Sequence, residues 1–191
     1  HINVGFAVTK WWKAAAGILP FSDVGYSISS NDLDLGVDKN YVFAGDGGVN
    51  KVFFTNGFTP YKNFHVGVTA SYLFGKLYQS NGILFNDDTG AYLNVFEQNS
   101  IKISDFTFDF GLKYKFEINP KNSLSIGAVY GLNSNLEATR SSIIYHTLST
   151  SSAAIDTVFQ AEDEVGSVSL PQNIGVGIGY HFEDKLFVGF D

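Results

Sequence analysis

Cysteine is absent from the 191-residue chain. That excludes a disulfide framework and any thiolate metal site, and it is compatible with an oxidising compartment. Charge is also scarce. Asp, Glu, Lys and Arg make up 16% of the residues, against roughly a quarter in soluble domains. The balance is acidic, with a net charge of −7. Nucleic acid is thereby excluded as a partner, because a phosphate backbone requires a basic surface. No apolar run reaches the roughly 18 residues that a transmembrane helix needs. The most apolar window, residues 14–19, is far shorter. The chain opens HINVGFAV, without the basic segment and apolar core of a secretory leader. An exported protein requires one, so the expectation is that it was removed or that the chain starts inside a longer protein. No P-loop, G-x-S-x-G or HExxH motif occurs. No helix-period segment is long enough to matter.

What the chain has in quantity is aromatic residues, 16% of the total, with 18 Phe and 10 Tyr. The most regular stretch is residues 106–116, FTFDFGLKYKF. Phe106, Phe108, Phe110, Leu112, Tyr114 and Phe116 alternate with Thr107, Asp109, Gly111, Lys113 and Lys115. Period two over this length is a β-strand with two unlike faces. At about 3.3 Å per residue and a tilt near 45°, it rises about 25 Å, the height of the apolar band on an outer-membrane β-barrel.

The same alternation recurs on both sides of four short turns. Ile2, Val4, Phe6 and Val8 precede a turn at Thr9 and Lys10, followed by Trp12, Ala14, Ala16 and Ile18. Val52, Phe54 and Phe58 lead through residues 60–63 to Phe64, Val66, Val68, Ala70, Tyr72 and Phe74. The strand at 106–116 ends at INPKN, a Pro/Asn turn. Leu124, Ile126, Ala128 and Tyr130 follow it. Ile174, Val176, Ile178 and Tyr180 reach a turn at Glu183, Asp184 and Lys185, and then Leu186, Val188 and Phe190. The sequence therefore predicts about eight strands in four tight hairpins, an all-β antiparallel transmembrane β-barrel in the outer membrane. The hairpins are joined by polar connections at residues 20–47, 79–102 and 133–171, read as loops into which some strands extend, at 24–28 and 141–148. Short turns at one end and long connections at the other put the short turns in the periplasm. Residues 1–191 form one domain.

Twelve of the 20 glycines fall within these strands, all at odd positions, opposite the aromatics. Strand glycine costs stability. Curvature and packing are the ordinary explanation, and room for a ligand is the sharper one. Four apolar residues break the parity. Phe53, Leu73, Leu77 and Phe187 stand at odd positions and are expected to point into the lumen. Packing accounts for them in the plainer view. In the sharper view they line an apolar route for a hydrophobic small molecule, along the wall near residues 50–78. Trp12 is expected at the membrane interface beside Trp11, with Lys10 and Lys13 near lipid phosphates or in plain solvent.

Signals for other chemistry are weak. His1, His65, His146 and His181 show no metal spacing. The acidic groups at residues 31–34, 86–88 and 162–164 offer oxygen ligands of the kind calcium takes, but none matches an EF-hand loop. No catalytic residue, metal site or cofactor is expected, and the protein is not expected to be an enzyme.

Three runs, TKWWKAAAGILPFSDVGYSI, GDGGVNKVFFTNGFTPYKNFHVGVTASYLFG and SLPQNIGVGIGYHFEDKLFVGFD, resemble the FadL-type outer-membrane transporters of long-chain fatty acids, in a Bacteroidetes-like branch. The resemblance implies a fourteen-stranded barrel, an N-terminal plug and a hydrophobic passage with a lateral exit. On that basis the chain is an internal portion that lacks the plug and several strands. The function expected is passive uptake of hydrophobic compounds such as long-chain fatty acids. The competing expectation is a structural or partner-binding barrel, a subunit of an outer-membrane complex that contacts other outer-membrane proteins through residues 133–171. A hydrophilic porin is a further alternative.

Overall fold

A computed structural model describes residues 1–34, 37–86, 91–148, 154–182 and 185–191. Ten strands form one antiparallel sheet: β1 (Ile2–Ala7), β2 (Trp12–Asp34), β3 (Val37–Tyr61), β4 (Phe64–Phe85), β5 (Leu93–Asn119), β6 (Asn122–Gly131), β7 (Ser134–Leu148), β8 (Ala154–Leu170), β9 (Asn173–Phe182) and β10 (Leu186–Phe190). The path runs β1-β2-β3-β4-β5-β6-β9-β10, with β7 on β5 and β8 on β7. The sheet is curled into a half-barrel. Among the described residues no pairing joins β1 to β10.

The ten segments make eight continuous ribbons. β6 and β7 are parted only by Leu132 and Asn133, and β8 and β9 only by Pro171 and Gln172. Gly131 pairs with Asn173 and Ser134 with Leu170, so the offset is unchanged across the gap. The pairing with β5 slips by one residue, from Asp109↔Gly131 below to Ile103↔Ala138 above. Two side chains close that gap. The Glu137 amide donates to the Asp105 carboxylate at 2.9 Å, and the Gly131 amide to Asn173 Oδ1 at 3.1 Å. The expected eight strands and four short turns are therefore present. Of the last turn, Glu183 and Asp184 lie outside the described residues.

The three expected loops need correction. Residues 20–47, 79–102 and 133–171 are mostly strand. β5 has 27 residues and β3 has 25. About 11 residues at a 45° tilt cross the apolar band, so more than half of each strand lies beyond it. The missed strands carry no simple alternation because they have no lipid face: both faces are polar or mixed.

On the turn-end half, the even side chains of β5 are exposed, Phe106 at 59% and Leu112 at 51%. This is the face expected to meet lipid. Trp12 stands at its turn end, stacked on Phe58 with centroids 6.3 Å apart, its indole donating to Asn56 at 3.0 Å. Trp11 lies beside it at 6.4 Å.

Halfway up, the sheet bends. Phe21 is an extra residue in β2, between Pro20 and Ser22. Gly47 has φ +109°, and a Cβ there would meet the Lys76 carbonyl oxygen at 2.2 Å. A Cβ on Gly75 would meet the Gly48 oxygen at 2.1 Å. Only glycine allows backbones so close and a φ in that region. The bend brings together the apolar core: Val49, Leu73, Ile103, Leu136 and Ala138, with Ile101, Val168 and Leu170 against them.

Candidate functional site

Parity and register fix the inner face layer by layer, from the short turns upward. Nearest the turns, Lys113, Lys115, Glu117, Ser123, Ser125 and His181 line a polar cavity of about 1010 Å³. Above it, Gly57, Gly67 and Gly111 pair across β3, β4 and β5 and leave the wall bare. Next comes a polar tier. Thr55 and Thr69 hydroxyls lie 2.8 Å apart, and Lys51 Nζ is 3.4 Å from Asp109. The apolar core follows at the bend, with Leu73 fully buried and Leu136 only 2% exposed.

The four residues expected to line an apolar route are on the inner face but do not form one surface. Leu73 is enclosed in the core, opposite Lys51 on β3 and Asp105 on β5. Leu77 sits opposite Gly47 and Ile101 two rows higher. Phe53 packs its ring where a Gly17 Cβ would stand. Phe187 is on β10, at the far side of the sheet, with its ring over Gly179 and Gly189 and 4.6 Å from His181. Two of the four thus fill space that glycine leaves, and one is buried in the apolar core. Leu136 and Ala138, which complete that core, were missed because residues 133–171 read as a loop.

His65 is held by Thr59, whose hydroxyl is 2.9 Å from Nδ1. Among the described residues no group of three His, Asp or Glu could hold a metal. Of the acidic groups, Asp87 and Asp88 lie outside the described residues, as do the side chains of Leu33 and Asp34. Asp163 is left-handed, φ 53°, where β8 bulges past Arg140 and Ser142.

On the distal half the inner face carries a polar network. Glu97 accepts from Asn99 at 2.9 Å and from Asn81 at 3.4 Å, while Arg140 donates to Asn99 at 2.9 Å. The two amides hold the Glu97 carboxyl below its usual range, with a smaller part from the Arg140 charge. Around this network apolar side chains are exposed: Ile28 57%, Phe43 39% and Phe159 48%.

A lipid-facing aromatic belt of antiparallel strands, with a polar inner wall and short turns at one end, defines an outer-membrane β-barrel protein, and the chain is located in the outer membrane. The BamG family model matches residues 1–191, and the chain belongs to that family. No curated protein matches it. A crystal structure of CarO from Acinetobacter baumannii aligns at 15% identity over 94% of each chain with a TM-score of 0.29, a likeness too slight to carry an argument. The family match corrects the resemblance to the FadL-type transporters. That resemblance rested on glycine, aromatic and turn patterns, which the lipid bilayer imposes on unrelated barrels alike. The fourteen strands and the plug it implied are withdrawn with it.

Proposed function

We propose that this protein is a partner-binding subunit of an outer-membrane assembly, the BAM complex that its family name indicates, and that its role is non-catalytic. The observation that carries this reading is the apolar surface on the distal half. In the turn-end half, exposed Phe and Leu are covered by acyl chains. Ile28, Phe43 and Phe159 share the inner-face row of Asn81 and Glu97, beyond the apolar band, and are 57%, 39% and 48% exposed. Apolar surface of this kind favours a protein partner. The buried core at the bend also weighs against solute uptake, because Leu73 and Leu136 occupy the middle of the inner face.

Photo-crosslinking tests the proposal. A photoreactive residue is placed at Ile28 or Phe159 of the full-length protein in native outer membranes. Adducts to another outer-membrane protein are expected from both positions, with lipid adducts dominating from Phe108 in the belt. No intermolecular protein adduct from either distal position would overturn it.

A further inference from the structure

The outer face of β3, β4, β5 and β7 changes character in steps above the belt. Tyr72, Phe74 and Phe106 form its top, with Tyr72 and Phe106 centroids 4.9 Å apart. The next outward row holds Lys76 and Lys102, directly paired across β4 and β5. Both side chains are exposed. Like charges opposite each other on neighbouring strands destabilise a sheet. Neither ammonium is within ion-pair distance of a carboxylate among the described residues. Lys76 is held over the Tyr78 ring at 4.7 Å.

One row further, Asp46, Tyr78, Ser100 and Ser141 pair in line, followed by Ala44, Ser80, Gln98 and Ile143. They line a groove of about 440 Å³, whose rim includes Gln160 and Glu162. That volume suits a small ligand. Its surface is mostly apolar carbon, from Ala44, Ala161, Ile143 and the Tyr78 ring, with amides and hydroxyls set among them.

The heights match a membrane. The lysines stand two to four residues above the last belt aromatics, about 5–9 Å at 3.3 Å per residue and 45° tilt. Lipid headgroups begin at the hydrocarbon edge and extend roughly 5–8 Å from it. Acyl chains, phosphate and sugar would then meet aromatics, lysines and groove in that order.

We propose that this face binds a phosphorylated glycolipid of the outer leaflet, its phosphate between Lys76 and Lys102 and its first sugar in the groove. The lysines supply the charge that an anionic headgroup attracts. Asp46 and Glu162 repel a second phosphate from the groove, so it takes an uncharged sugar ring. Gln98 and Gln160 supply amides for the ring hydroxyls, although each already serves one neighbour: Gln98 donates to the Tyr145 hydroxyl at 3.0 Å and Gln160 to Glu162 at 2.5 Å. Their carbonyl oxygens remain acceptors. The pairing was invisible in the sequence because residues 79–102 read as a loop, which placed Lys102 opposite nothing.

The test uses the full-length protein in nanodiscs containing either bis-phosphorylated lipid A or phosphatidylglycerol at matched charge, with native mass spectrometry to count retained lipids. Retention of lipid A over phosphatidylglycerol is expected. The double variant Lys76→Ala, Lys102→Ala lowers lipid A retention at least about tenfold, by the loss of two charges at the headgroup. Ser100→Trp fills the groove and lowers lipid A retention while leaving phosphatidylglycerol unchanged. Lys102→Gln alone keeps the side-chain length and serves if the double variant does not fold, with a partial loss expected. Equal retention of the two lipids, unchanged retention in the folded variants, or displacement by millimolar inorganic phosphate alone would overturn the proposal. So would loss of a protein partner with lipid retention intact, which would make this face a protein interface.

Discussion

At the scale of single residues, glycines that look alike in the sequence have different tasks. A Cβ on Gly47 or Gly75 would strike backbone at 2.2 or 2.1 Å, whereas one on Gly111 would meet nothing within 4 Å. Gly47→Val is expected to cost at least about 1–3 kcal/mol, since it combines a left-handed φ with a clash. Gly111→Ala is expected to be neutral or slightly stabilising, because alanine at a compatible φ has less freedom to lose on folding. Thermal unfolding in detergent measures both, and equal effects would contradict this account of the bend. Leu73 allows a third comparison. Leu73→Ala opens a cavity in the core and should cost about 2–5 kcal/mol. Leu112→Ala, on the exposed lipid face, leaves no such cavity and should cost less.

At the scale of elements, the turn-end half was legible and the distal half was not. The strand at 106–116 declares itself because one side meets lipid and the other a polar interior, so every second residue differs. The same strand continues down in number to Leu93, but there Asn94, Gln98 and Ser100 share a face with Phe96, and the period disappears. β7 and β8 were hidden for the same reason, and their register with β5 depends on a one-residue slip that no local pattern announces. The inward position of Leu73 was readable from parity; its enclosure by Leu136 was not, because that contact needs the long-range pairing. The distal network gives a pH prediction. The Glu97 carboxyl is held low by Asn99 and Asn81. Its contribution is therefore present above the carboxyl's ordinary value and is lost as pH falls through that value toward the lowered one. Acidification should loosen the distal strands, and Glu97→Gln should flatten the acid limb. Hydrogen exchange of β5 residues 94–102 between about pH 3 and 6 would reveal it.

At the scale of the whole molecule, the sheet is a membrane wall below and a taller wall of polar and mixed faces above, joined at a bend that holds a small apolar core. Strands that rise well past the bilayer are suited to holding neighbours. Membership of the BamG family agrees with that use. Affinity purification of the tagged full-length protein from native outer membranes in mild detergent, followed by mass measurement of the intact species, tests this most directly. A stable assembly with other outer-membrane proteins in fixed stoichiometry is predicted; a monodisperse barrel carrying no other polypeptide would contradict it.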